Sequence, residues 1–417
     1  MPHNLYITIL SLCILVPTLT SCTEKKQEKV LLEDPVYTDT IDFAGEGRIL
    51  YEITGPDYET PNVPVGETTF FAGIPYVLGE EMLPELNYMP AYASSSTPLV
   101  KFTPTWKGEG PPPAGTWHLR GVLQDSSGLE IELFDKEGAL EPAGDDMGSI
   151  DEGDSTSAGY KTIEFETQAL PSETAKLYNL LITHTYTVNG TTFSRLSTTE
   201  FAQVWRAPLP GTILYYQIIR WGAEWLNGTF SDLGEVTENE LADKLLLGMQ
   251  NLVPLGYRYG SHGKLDHFTN KAEVFLDRKQ SSCGDFYGFF MDLVETQGID
   301  ANYLIFYFPN PSPEWFSMYE TIEIAALGRE KRVWRYADHG LVEVNGRVYD
   351  PTYGLIMENA DVYEDFLFAR FCYGGEGKCG AGNTWCLIPG GPQGICSDNE
   401  PGYHEELGFI RVRGETY

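Results

Sequence analysis

From residue 45 to 207 the apolar positions alternate with polar ones instead of recurring at helical spacing. "TWHLRGVLQ" runs apolar-in, polar-out and stops at a polar turn. "LYNLLITHTYTVNGTTFSRLSTTEFAQVW" predicts long strands rich in Thr, Tyr, Leu and Val, folded back on themselves at Asn189-Gly190. Pro and Gly punctuate the same region in "GPDYETPNVPVG" and "EGPPPAG", and helix-period runs are scarce. These features predict one or two β-sandwich units of immunoglobulin-like size. After "RAPLPG" the period changes. "TILYYQIIRWGAEWLNG" and "TENELADKLLLGMQNLVPLG" carry apolar residues at helical spacing, and Thr237 stands three residues before Glu240, as in a capping box. A domain boundary is therefore expected near 207–211. A helix over 281–297 follows, then strands at "NYLIFYF", "GLVEV" and "RVYD", which together predict an α+β domain. The expected class is a multidomain chain, all-β in its N-terminal part and α+β after it.

Charge narrows the partners. The chain holds 28 basic and 60 acidic residues, a formal net charge of -32, and a field of that sign repels phosphate backbones, so nucleic acid is not an expected partner. The acidic stretch "EPAGDDMGSIDEGDSTS", 141–157, reads as a solvated loop. Its Asp145, Asp146, Asp151 and Asp154 lack the spacing of an EF-hand calcium loop. Oligomeric state is left open.

The N-terminus adds an address. Residues 1–22 contain no acidic or basic side chain, and "LYITILSLCILVP" is an apolar core of signal-peptide length, too short to span a bilayer. The tetrapeptide "LTSC" that follows, ending at Cys22, resembles the lipobox of bacterial lipoproteins. That resemblance implies a signal peptide over 1–21 and lipidation of Cys22. It also implies export, with anchoring to a bacterial outer membrane or cell surface and no spanning helix. The n-region departs from the pattern in lacking Lys or Arg. Residues 22–44 then read as a charged tether.

The cysteines divide into groups. Cys13 leaves with the signal peptide. Cys372, Cys379, Cys386 and Cys396 cluster in a glycine-rich stretch, which in an exported chain reads as two disulfides stapling a C-terminal extension, 372–417. Three pairings are open. A zinc site would want CxxC knuckles that these spacings lack. Cys283 is left over, and its surroundings are unusual for a structural thiol. In "SSCGDFYGFF" it stands at the polar entrance of a predicted helix whose Phe286, Phe289, Phe290, Leu293 and Val294 share one face. A helix N-terminus favours the thiolate, the nucleophilic form of cysteine.

A thiolate nucleophile needs a base, and the base an orienting acceptor. "ADHGLVEVNGRVYDPTYG" offers both: His339 opens an alternating strand, "VNGR" turns the chain, and the returning strand brings Asp350 back towards His339. Pro351 is expected to end strand pairing there. His118, His184, His262 and His267 read as structural or surface residues.

Taken together, "SSCGDFYGFFMDLVETQGIDANYLIF" and "DHGLVEVNGRVYDPTYG" resemble the core of the transglutaminase-like superfamily, relatives of papain-like cysteine proteases. "YRYG" and "AEVFLDRKQSSCG" add to the likeness. The resemblance spans 208–371 and says nothing of the N-terminal half. It implies a Cys283–His339–Asp350 triad that transfers acyl groups from peptide or isopeptide amides, with a protein or peptide as substrate and no metal or organic cofactor. Water as acceptor gives a peptidase or amidase, and an amine gives cross-linking. A degenerate, non-catalytic scaffold for surface binding is the alternative. Gln280 and Tyr259 are weaker candidates for the oxyanion side chain. One departure stands out: Gly340-Leu341 follow the histidine where Ala-Trp is usual, which is expected to widen one side of the groove.

Overall fold

The computed structural model describes residues 35–51, 89–143, 159–227, 236–260, 271–307, 320–330, 332–335, 338–368, 371–372 and 410–414. All of these lie within one unit, Pro35–Tyr417. The architecture is β-rich, with several sheets and few helices.

The N-terminal part forms two facing sheets. One joins β1 (Val36–Ala44), β3 (Leu99–Trp106) and β6 (Ile163–Glu166) in the order β1-β3-β6. The other holds β2 (Ala91–Ala93), β4 (Gly115–Gln124), β5 (Glu130–Leu140), β7 (Lys176–Val188) and β8 (Thr191–Val204), in the order β2-β8-β7-β4-β5. Alternation in sequence becomes alternation in burial: along β7 every second side chain from Tyr178 to Val188 points into the core. Phe43 and Phe102 from the first sheet meet Trp117, Ile182 and Phe201 from the second in one cluster. The β7–β8 hairpin turns at Asn189 (φ 50) and Gly190 (φ 75), the paired positive φ values of a two-residue hairpin loop.

The period switch after "RAPLPG" marks the start of helices α1 (Tyr216–Trp225) and α2 (Glu238–Gly248). The capping box of α2 is complete: Thr237 N donates to Glu240 Oε2 at 2.8 Å, and Glu240 N donates to Thr237 Oγ1 at 3.2 Å. Then come β9 (Arg258–Tyr259), α3 (Lys271–Arg278), β10 (Gln280–Ser281) and α4 (Cys283–Glu295). The remaining elements are β11 (Asn302–Tyr307), β12 (Glu320–Ile324), β13 (Arg332–Arg335), β14 (Asp338–Val344), β15 (Arg347–Asp350), β16 (Leu355–Met357), α5 (Ala360–Phe368), β17 (Phe371–Cys372) and β18 (Ile410–Gly414). The main sheet here runs β16-β15-β14-β11-β18, and a smaller one β13-β12-β17.

Three features go beyond the sequence reading. Residues 36–44, read as part of the charged tether, form β1, with Val36, Ile41 and Phe43 buried in the core, because their alternating apolar side chains pair the segment with β3. Strand β15 ends at Asp350, just before Pro351, as the sequence predicts. The chain turns through 351–354 and returns as β16, with Asp350 opposite Leu355. Residues 410–414, within the segment read as a separate extension, pair with β11 and complete the main sheet.

The β-rich and helical parts share packing. Trp205 and Ala175 belong to the cluster formed by α1, α2, α3 and α4. Ile219 and Ala223 of α1 pack instead with Ala202 and Val204 of β8. The backbone N–H of Trp205 donates to Gln297 Oε1 at 3.1 Å in a buried bond just past the end of α4. The helix that begins at Cys283 therefore ends against the last strand of the β-rich part.

Candidate active site

The site is built on the start of α4 and one hairpin. The helix buries Phe286, Phe289, Phe290, Leu293 and Val294 completely. Phe275 of α3 stacks on Phe289 with ring centroids 4.3 Å apart and meets Phe286 edge-on at 5.0 Å. Burying each such ring stabilises the fold by roughly 1.5–3 kcal/mol, so this face fixes the position of the helix. Its start is fixed separately: Ser282 is the N-cap, and both its N–H and its hydroxyl donate to Asp285 Oδ2 at 2.8 Å. Cys283 is the first helical residue and a half-buried free thiol. There it meets the helix's unpaired N–H groups and positive dipole end.

Strands β14 and β15 form a tight hairpin through Asn345 (φ 48) and Gly346 (φ 80). The register pairs Val342 with Tyr349, and continued by one step it sets Asp350 opposite Leu341. His339 lies two residues before Leu341 on the same face, so His339 and Asp350 are a diagonal cross-strand pair. His339 Nε2 lies 2.9 Å from Asp350 Oδ2, and both side chains are fully buried. The other carboxylate oxygen is held by the turn: Asp350 Oδ1 accepts from the N–H of Thr352 at 3.0 Å and of Tyr353 at 3.1 Å. The turn closes with Gly354 N donating to Asp350 O at 2.8 Å, which requires φ +66 at Gly354. The sequence "DPTYG" thus fixes the carboxylate as well as the strand end.

Burial alone would drive the His339 imidazole towards neutrality. The Asp350 carboxylate, by charge and by hydrogen bond, outweighs that, and the Cys283 thiol adds to it in the same two ways. His339 is held above the ordinary histidine range, as an imidazolium. The structure brings His339 and Asp350 into direct contact, and the Cys283 thiol at the start of α4 acts electrostatically on the same imidazole.

Gly340 and Leu341 take a different meaning from the one expected. A Cβ on Gly340 would fall 2.0 Å from Cδ1 of Tyr287 on α4, so the missing side chain lets the helix lie close to the strand that carries His339. Leu341 is completely buried. Neither position lines a groove. Among the oxyanion candidates, the Tyr259 ring packs on Phe286, and Gln280 Oε1 accepts from Arg258 at 3.3 Å while its amide lies over Gly260. Tyr353 and Tyr363 were not singled out in the sequence, yet both rings pack on the imidazole, with centroids 5.2 and 6.4 Å away. The only textual signal for Tyr353 is its place after "DPT"; Tyr363 has none.

Cys22, Cys379, Cys386, Cys396, His262, His267 and the four aspartates of 141–157 lie outside the described residues, and Cys372 is described in its backbone alone. His118 and His184 lie in β4 and β7, away from the site. Among the described residues no group of three or more His, Cys, Asp or Glu side chains could hold a metal ion, and no helix is long and apolar enough to cross a membrane.

No protein-family model matches the chain, and no curated protein matches it. Among solved structures it is similar to a transglutaminase from red sea bream, with 10% identity and a TM-score of 0.31. That likeness covers 63% of this chain and 49% of the transglutaminase, so the chain spans about half the length of that protein. It is also similar to a candidate protease from Parabacteroides distasonis, at 8% identity and a TM-score of 0.15, over 64% of this chain and 70% of that one.

Proposed function

We propose that the protein is a thiol hydrolase or acyltransferase with a transglutaminase-like α+β domain, acting on peptide or isopeptide amides through Cys283, His339 and Asp350. One observation carries the reading: a fully buried histidine bonded to a fully buried aspartate, with the half-buried thiol of the first residue of α4 acting on the same imidazole. A buried ion pair of this kind is costly to assemble, and a cysteine with a purely structural role has no need of one.

The chemistry follows from the arrangement. The Cys283 thiolate attacks the amide carbonyl carbon, forming the C–S bond and an oxyanion to which the Cys283 backbone N–H donates. As the intermediate collapses, the C–N bond breaks and the leaving amine takes the proton from the His339 imidazolium. A thioester remains. Water then attacks it, giving its proton to the neutral imidazole; the C–S bond breaks and the acid departs, leaving thiolate and imidazolium paired again. An amine in place of water gives transamidation. Asp350 holds the imidazole in one orientation and stabilises its cation throughout. The lipobox-like "LTSC" further supports an exported protein anchored through lipid at Cys22, so that the substrate would be an extracytoplasmic protein or peptide.

The test is the pH dependence of Cys283 alkylation by iodoacetamide, read by mass spectrometry, in the native chain and in His339→Ala. The native thiol should be alkylated faster than the His339→Ala thiol at neutral and acidic pH, and only there. A thiol that is silent, or indifferent to His339, would overturn the reading.

A further inference from the structure

Asp350 has a second side-chain partner that the triad does not require. The hydroxyl of Tyr363 donates to Asp350 Oδ2, the same oxygen that meets His339 Nε2. With Oδ1 bound by the N–H groups of Thr352 and Tyr353, all four bonds a carboxylate readily accepts are filled. Tyr363 is itself completely buried, and its ring lies nearly parallel to the imidazole, at 14°. It comes from α5, a different element from those that carry the triad. Its place is set by Asn359, whose Oδ1 accepts from the N–H of Asp361 and of Val362 at 3.0 Å and so starts the helix. Phe306, opposite His339 on β11, packs against the Tyr363 ring at 5.6 Å.

We infer that Tyr363 is a positioning residue, which pins the Asp350 carboxylate with its hydroxyl and the His339 ring with its face so that the imidazole keeps one orientation in the site. The inference deepens the thiol-hydrolase reading and rests on it. The physical need is specific. Oδ1 is tied to the backbone of the turn, but rotation of the carboxylate would move Oδ2 out of reach of Nε2, and Tyr363 supplies the second bond that opposes this rotation. A buried tyrosine also pays for its hydroxyl only if it finds an acceptor, and here the acceptor is the orienting carboxylate. Among the described residues, the titratable groups around the imidazole include Asp350 on β15, Cys283 on α4, Tyr353 in the turn and Tyr363 on α5. Tyr353 and Tyr363 both touch the histidine–aspartate pair, and Tyr363 does so with its side-chain hydroxyl and ring from a separate helix.

The test follows the His339 imidazole by NMR titration in the full chain, alongside the alkylation profile of Cys283. In Tyr363→Phe the ring remains and the hydroxyl is lost. The His339 midpoint should fall by half a unit or more, and low-pH alkylation should slow about threefold or more, with melting close to wild type. In Asp350→Ala the added Tyr363→Phe change should do nothing further to either readout, because the hydroxyl acts through the carboxylate. An unchanged His339 midpoint in Tyr363→Phe overturns the inference, as does a full effect in the Asp350→Ala background. If Tyr363→Phe does not fold, fluorotyrosine incorporated at 363 takes its place: a shifted midpoint supports the inference and an unmoved one overturns it. A silent wild-type thiol together with a shifted His339 midpoint removes the hydrolase reading and leaves the positioning role standing.

Discussion

At the residue scale, the position after the catalytic candidate histidine shows how a small side chain governs geometry. Gly340 is buried against the face of Tyr287, and the space for a methyl group is already taken by ring carbons at 2.0 and 2.3 Å. Gly340→Ala therefore has to push α4 away from β14 or rotate Tyr287. Overpacking of this sort costs about 1–3 kcal/mol, and here the displaced helix carries Cys283. The expected outcome is a lower midpoint of chemical denaturation together with loss of low-pH alkylation at Cys283. A variant that melts lower but alkylates like wild type would show that the helix had not moved.

At the scale of elements, the first turn of α4 and the tip of the β14–β15 hairpin each place one group, and they do so independently. The helix start depends on Asp285, whose carboxylate takes both the N–H and the hydroxyl of Ser282 and is itself buried. Asp285→Ala leaves the N-cap without that acceptor, at a cost of about 1 kcal/mol, and frays the turn containing Cys283. We expect a modest stability loss by denaturant titration but a disproportionate one in thiol reactivity, since the dipole end acts only on a formed helix. Equal effects on both measurements would mean that Asp285 only stabilises the fold.

At the scale of the whole molecule, two buried titratable side chains give the stability opposite pH dependences. His184 in β7 is held down at about 4, first by burial and then by the charge of Arg195 across the hairpin. It is neutral in the folded chain, while the unfolded chain takes up a proton below about 6.5, so stability is lost as pH falls from there towards 4. His184→Phe should abolish that part of the acid destabilisation, worth about 3 kcal/mol at full extent. Glu295, at the end of α4, is pushed up to about 7 by burial, against the hydrogen bond from Thr212 and together with the charge of Asp300. Its contribution is present below about 4.5 and is lost as pH rises through 7. Glu295→Gln should therefore raise the denaturation midpoint at pH 8 and leave it nearly unchanged at pH 5. Because α4 runs from the thiol to the β-rich part, Glu295 ties the alkaline stability of the whole unit to the element that carries Cys283.

The chain's own text determined the elements whose signals are local. Alternation fixed the long strands β7 and β8, Asn-Gly pairs fixed both hairpins, and a phenylalanine stripe behind a polar cap fixed α4 with Cys283 at its head. Even the meeting of His339 with Asp350 was legible, because a two-residue turn sets the register and period 2 sets the face. What tertiary structure alone decided is everything that crosses sequence distance. Nothing local says that residues 410–414 close the main sheet beside β11, that Trp205 joins the helical core, or that Tyr363 reaches Asp350 from α5. Those contacts exist because burial rewards whichever apolar or aromatic surface arrives, and the order of arrival is a property of the packed chain and not of any one segment of it.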